Sequence, residues 1–186
     1  MTWQDIPGWF DFEDVYVDAV RAVPAGGEMV EIGCWYGRST AFLAQEIQRS
    51  GKRIKLFAVD TWRCTPGDDP VAKEIYPKFS EECGGDMFPK FMRNMEELGL
   101  HRIVFPLMMP SVHAARLFPS NSLDFVFIDG AHDYENVRTD IAVWKRRIRQ
   151  GGVIAGHDLD FPGVSRAVAE EFRHFEIVGR SWRAGL

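Results

Sequence analysis

Residues 123–129 read LDFVFID. Apart from Asp124, the side chains up to Ile128 are apolar and do not alternate with polar ones. That is the pattern of a strand covered on both faces. Such a strand needs layers above and below it, and the rest of the chain provides them. Residues 11–23 carry Val15, Ala19, Ala22 and Val23 at helical spacing, and the PAGG turn at 24–27 stops them. EMVEIG reads as a buried strand, 39–49 as a helix closed by Gly51, and RIKLFAVD at 53–60 as a second strand. Strand, helix, strand in about 30 residues is the length of a parallel crossover.

The alternation continues. A helix starts near Pro89, with Phe91, Met95 and Leu98 on one face, and is followed by RIVFP at 102–106. Ser111 caps a short helix through Leu117. After the strand at 123–129, a helix is expected over 134–149 with Val137, Ile141, Trp144 and Ile148 inward. A strand at 151–158, a helix near 164–173 and one last strand, FEIVGRSW, complete the set. The expected fold class is α/β: a single Rossmann-like, doubly wound domain over 1–186, with a mostly parallel sheet, helices on both faces and a shortened C-terminal edge. Residues 61–87 are rich in Pro, Gly and acids and interrupt the pattern. They read as a lid-like insert, with a helical turn near Ala72 to Phe79.

Composition narrows the partners. A net charge of −5 over 186 residues argues against nucleic acid or an anionic membrane. The apolar runs are too short to span a bilayer, and the acidic N-terminus does not resemble a secretory signal. Cys34, Cys64 and Cys83 form no CxxC pair, so the expected setting is the reducing cytoplasm. The basic run Lys145, Arg146, Arg147 and Arg149 reads as a solvated helix end.

In a doubly wound sheet, ligands sit beyond the carboxyl ends of the strands. Here those ends carry Glu31, Asp60, Asp129, and His157 with Asp158. The first strand runs into VEIGCWYGRST, a glycine turn feeding a helix N-terminus, which suits an anionic group. It lacks the lysine of a phosphate loop and the GxGxxG of a dinucleotide site, and bulky Trp35 and Tyr36 leave room for a carboxylate rather than a pyrophosphate. Asp60 is placed to accept both hydroxyls of a ribose.

VEIGCWYGRST, FAVDTW, FVFIDGAHDYENVRTDI and GGVIAGHDLD together resemble class I S-adenosylmethionine-dependent methyltransferases. The similarity is to the small-molecule O-methyltransferase branch, of catechol and macrolide-sugar type. It implies S-adenosyl-L-methionine as cofactor and the hydroxyl of a small molecule as acceptor, and it leaves a homo-oligomer open. Glu31, Gly33, Gly37 and Ser39 would then line the methionine end, with Asp129 beside it. Asp60 would hold the ribose, Trp62 would border the adenine, and Ser111 would contact it. His132 would be the base that takes the hydroxyl proton, with Asp129 as its catalytic companion.

Metal-dependent members hold a divalent cation between an acid in the place of Asp129 and an acid pair. Here His157 stands in the first place of that pair, beside Asp158. The resemblance therefore implies magnesium or, given the imidazole, manganese at Asp129, His157 and Asp158. The other readings are a metal-independent O- or N-methyltransferase and a cofactor-binding module without turnover. The aromatics Trp3, Trp9, Phe10 and Phe12 would cover the acceptor, pack a dimer interface or pack the domain's own core.

Overall fold

The structure is a computed structural model that describes residues 1–63, 81 and 84–186. A 3-10 turn at Trp3–Asp5 precedes α1 (Glu13–Ala22), β1 (Glu28–Ile32), α2 (Arg38–Ser50) and β2 (Lys55–Asp60). Then come α3 (Phe88–Glu97), β3 (Val104–Met108), α4 (Ser111–Ala114) with a 3-10 turn at Ala115–Leu117, and β4 (Leu123–Ile128). The chain ends with α5 (Tyr134–Lys145), β5 (Ile148–Gly156), α6 (Pro162–Glu171), β6 (Glu176–Val178) and β7 (Ser181–Gly185). The sheet order is β3-β2-β1-β4-β5-β7-β6, parallel except for β7. The order reverses between β1 and β4, which sets the switch point where ligands bind.

The unbroken apolar run of β4 is explained by the layers on either side. Phe125 and Phe127 point into one core with Val15 and Tyr16 of α1, Leu43 and Ile47 of α2 and Phe91 of α3. Val126 and Ile128 point into the other with Val137, Ile141 and Trp144 of α5 and Val164 and Val168 of α6. All of β4 is buried. At about 1.5–3 kcal/mol for each large side chain taken out of water, these two layers hold the sheet between them.

Element ends follow local chemistry. Asp133 caps α5 by accepting from the Asn136 amide at 3.1 Å. The expected helix over 134–149 stops at Lys145, because Arg147 N turns back to Trp144 O at 2.8 Å and Ile148 joins the sheet opposite Leu123. Ile148 is buried as a strand residue, and the basic run is split. Its last member, Arg149, donates to Asp124 Oδ1 at 2.6 Å, and Asp124 also accepts from Glu28 N at 2.8 Å. This polar tie holds β1, β4 and β5 together at the end of the sheet away from the ligand side.

The single last strand expected over 175–182 is a hairpin, and the shortening is confined to β6. Glu176 and Ile177 face solvent, the chain reverses at Gly179–Arg180, and Ser181, Trp182 and Ala184 return into the core. β7 thereby slots antiparallel between β5 and β6 and places Arg180 at the ligand side.

Ser111 opens α4 but is not its cap. Pro110 holds that position, and the Ser111 hydroxyl accepts from Trp144 Nε1 at 2.7 Å. The insert is pinned where it leaves and rejoins the domain: Arg63 bridges Asp86, and Met87 N bonds Trp62 O at 3.0 Å. Its interior, with the expected turn at Ala72 to Phe79, Cys64 and Cys83, lies outside the described residues. Among the described residues no helix is long and apolar enough to cross a membrane.

Candidate functional site

The turn after β1 is shaped by what lies against it. Gly33 has φ +85°, and a Cβ there would stand 1.9 Å from the carbonyl oxygen of Asp129. Only glycine lets β1 and β4 come that close at their ends. Gly37 (φ +88°) ends the turn against Phe91 and Met95. Its carbonyl takes the first bond of α2, from Ala41 N at 2.8 Å, so the amides of Arg38, Ser39 and Thr40 precede the helical ladder. Asp60 holds the middle of the turn. Its Oδ2 accepts from Cys34 N at 2.8 Å and Trp35 N at 2.9 Å, and its Oδ1 from Trp62 N at 2.8 Å.

The turn opens on a cavity of about 270 Å³. Gly33, Ser39, Asp129, His132, His157 and Asp158 line it. The expected catalytic pair, the expected metal trio and part of the expected methionine-end set are thus brought together. The other five expected residues, Glu31, Gly37, Asp60, Trp62 and Ser111, lie outside this lining. Glu31 is fully buried under the turn and accepts from Tyr16 Oη at 2.8 Å. Burial raises its pKa, against the pull of the Ser39, Thr40 and Tyr16 hydroxyls. Trp62 is also fully buried, packed on Phe88 and Phe91 and donating to Trp35 O at 2.8 Å. It supports the turn from beneath and has no surface to offer a base. Ser111 is tied to Trp144 and to buried Asp140.

Two clusters meet across the cavity. On one side, Trp9 stacks on Trp35 (5.2 Å between centroids, 12°) and Trp35 on Tyr36 (4.9 Å, 16°). The N-terminal aromatics therefore divide their roles. Trp9 is exposed over the cavity, whereas Phe12 packs on Phe127 and Tyr16, and Trp3 on Phe10 and Phe42.

On the other side, His132 Nε2 lies 2.9 Å from Asp158 Oδ2, and its ring leans on Phe161 at 4.5 Å. His157 Nδ1 is 3.3 Å from Asp158 Oδ1 and 3.7 Å from Asp129 Oδ1. Its Nε2 is 2.7 Å from Asp11 Oδ1, at an angle outside that of a hydrogen bond. Burial pushes the Asp129 carboxyl up to about 7, with His157 and His132 opposing it. Burial also works against a charged Asp158, but the donors His132 and His157 outweigh it and hold that carboxyl below the ordinary range. Burial disfavours the His157 imidazolium, and Asp158, Asp129 and Asp11 more than reverse this, so its pKa is raised.

Asp129, His157 and Asp158 each offer a donor atom within 4.8 Å of the others. They do not fit a divalent cation as they stand. Both Asp158 oxygens are engaged, Oδ2 by His132 and Oδ1 by Arg180 Nη2 at 2.8 Å. A guanidinium that close to the shared carboxylate occupies the charge position the ion would need.

Sequence reasoning missed Arg180, Arg38, Tyr16 and Asp11. Arg180 was hidden because its hairpin read as a continuous strand. Arg38, which also lines the cavity, stands in GRST directly after Gly37.

Residues 30–159 match the family described as methyltransferase domain. The chain belongs to that family. Its fold is the Rossmann-like one of solved methyltransferases. The O-methyltransferase NovP superposes with a TM-score of 0.70 at 17% identity, over 93% of this chain and 78% of that one. CalS11, the calicheamicin methyltransferase, gives 0.61 at 16%, over 93% and 76%. A Streptococcus mutans protein solved in complex with SAH gives 0.61 at 11%, over 95% and 98%. Two curated relatives of this methyltransferase-domain chain are each 25% identical. One, an uncharacterised protein of Sinorhizobium fredii, matches 71% of this chain and 13% of its own length. The other, an uncharacterised protein of Acanthamoeba polyphaga mimivirus, matches 76% of this chain and 59% of its own length. The chain therefore spans less than two thirds of either curated relative.

Proposed function

We propose that this protein transfers the methyl group of S-adenosyl-L-methionine to a hydroxyl of a small molecule. The observation that carries the reading is the meeting, in one cavity, of the Gly33 turn with Asp129 and the His132–Asp158 pair. The residues present fit the amino-acid end of such a cofactor. The unladdered amides at the start of α2 suit its carboxylate, and Asp129 suits its ammonium. The sulfonium supplies an activated methyl group when bound.

The chain's own residues do the rest. Asp158, 2.9 Å from Nε2, orients His132 and supports its imidazole as the group that takes up the proton. As the acceptor oxygen bonds to the methyl carbon, the carbon–sulfur bond breaks, its electron pair stays on sulfur, and the hydroxyl proton passes to His132. The stacked Trp9, Trp35 and Tyr36 form an apolar wall that keeps water from the acceptor side and offers a flat surface to a ring. Asp60 has about four acceptor positions, and three are used by the turn. It can therefore take one ribose hydroxyl rather than two.

Calorimetry of the purified chain tests the reading. S-adenosylhomocysteine is expected to bind saturably and NAD is not. Binding of NAD with no heat from S-adenosylhomocysteine would reject it.

A further inference from the structure

The rim between β4, β5 and the β6–β7 hairpin gathers the carboxylates of Asp11, Asp129 and Asp158 around His157. Carboxylates so close repel one another unless a cation lies among them. The chain brings its own. Arg180, in the hairpin turn, sends Nη2 to Asp158 Oδ1 at 2.8 Å and to Asp160 Oδ1 at 2.9 Å, and Nε to Asp160 Oδ1 at 3.1 Å. The turn itself is fixed by a backbone bond from Leu159 N to Arg180 O at 2.9 Å. The guanidinium is thus held at two carboxylates and through its own backbone, and it also lines the cavity. Asp158 is the shared point. It is the donor that would complete a divalent site with Asp129 and His157, and it is the residue Arg180 and His132 already occupy.

We propose that Arg180 is the resident cation of this rim and excludes a divalent ion from it. A doubly charged ion seated on Asp158 would face the guanidinium across a few ångströms of partly buried space, where like charges are poorly screened. The ion must displace Arg180 from both carboxylates or stay out. If the cavity is the transfer site described above, the acceptor hydroxyl is oriented and deprotonated by side chains, without a metal. Arg180 is a positioning residue in that scheme, because it acts on the acceptor through Asp158 and His132.

Manganese titrated into the full chain tests this without any turnover assay. Wild type, Arg180→Lys and Arg180→Gln are compared by calorimetry and thermal shift. Wild type and Arg180→Lys are expected to show no saturable binding. Arg180→Gln is expected to bind saturably, with a Kd at least about tenfold below the weakest that the titration can detect, and a further Asp129→Asn change should abolish the gain. Manganese binding by wild type as tight as that of Arg180→Gln overturns the proposal, as does a folded Arg180→Gln that gains none. Should that variant fail to fold, Asp160→Asn serves instead. It is an exposed change that removes one of the two carboxylates holding the guanidinium, and it is expected to gain in the same direction by a smaller factor. No gain there overturns the proposal too. S-adenosylhomocysteine titrated in parallel tells a failure of the cofactor reading apart from a failure of this one, since the ion result does not depend on it.

Discussion

Asp60 Oδ2 accepts from the amide of Cys34 at 2.8 Å, so the acid at the end of β2 is part of the turn that leaves β1. One carboxylate therefore joins the two strands whose ends frame the cofactor side. Asp60→Ala should lower stability by about 2–4 kcal/mol, from the loss of charge-assisted bonds to three amides. It should weaken S-adenosylhomocysteine binding about 10- to 100-fold, the worth of one such bond. Chemical denaturation and calorimetry read the two effects separately. Unchanged stability with weakened binding would mean the turn does not depend on Asp60.

Gly33→Ala should cost at least about 3 kcal/mol, because the residue sits at positive φ and its new methyl group would meet a backbone carbonyl. That carbonyl belongs to Asp129, 1.9 Å from the methyl position, so the Asp129 side of the cavity shifts with the turn. Thermal unfolding checks it, and an alanine variant as stable as wild type would show that the strands are not in this close approach.

Asp140 gives a stability signal with a definite sign. Burial raises its carboxyl to about 6, with the Ser111 hydrogen bond opposing. The native state prefers the neutral acid. That contribution is complete below the unfolded value near 3.8 and is lost as pH rises to about 6. Asp140→Asn should therefore stabilise the protein by about 1–3 kcal/mol at pH 8 and make little difference at pH 4. The difference between the two unfolding midpoints, taken at each pH, isolates this group. A difference that does not grow with pH would contradict the assignment.

His132→Ala should reduce turnover about 100-fold or more, the usual weight of a general base. Its effect on S-adenosylhomocysteine affinity should stay within about threefold, because the proposed reaction uses His132 on the acceptor and not on the cofactor. Stopped assays with a flat, hydroxyl-bearing acceptor library, alongside calorimetry, measure both. Equal losses in rate and affinity would place His132 in the cofactor pocket instead.

The sheet was legible because burial on two faces leaves a plain mark in one strand. LDFVFID needs both layers, and the helical spacings of Val137, Ile141 and Trp144, and of Phe91 and Met95, provide them. The hairpin at 176–185 was not legible. A two-residue reversal at Gly179–Arg180 inside a short β-rich stretch looks like one strand until Trp182 is seen buried while Ile177 is not. The polar rim was legible by position, since strand ends in a parallel sheet converge. The orientation of each side chain was not. Glu31 and Trp62 stand at cofactor-facing positions in the chain, yet both turn inward.

Taken alone, the amino-acid order determined the layered α/β architecture and which strand ends would meet. Hydrophobic periodicity is local, and each element carries its own copy of it. What only the tertiary structure decided is how the charges at that meeting point are neutralised. Arg180 lies 22 residues from Asp158 along the chain, and no pattern within either segment reveals the contact. It exists because β7 folds back beside β5 and delivers a guanidinium to a carboxylate that helical or strand spacing could never have paired with it.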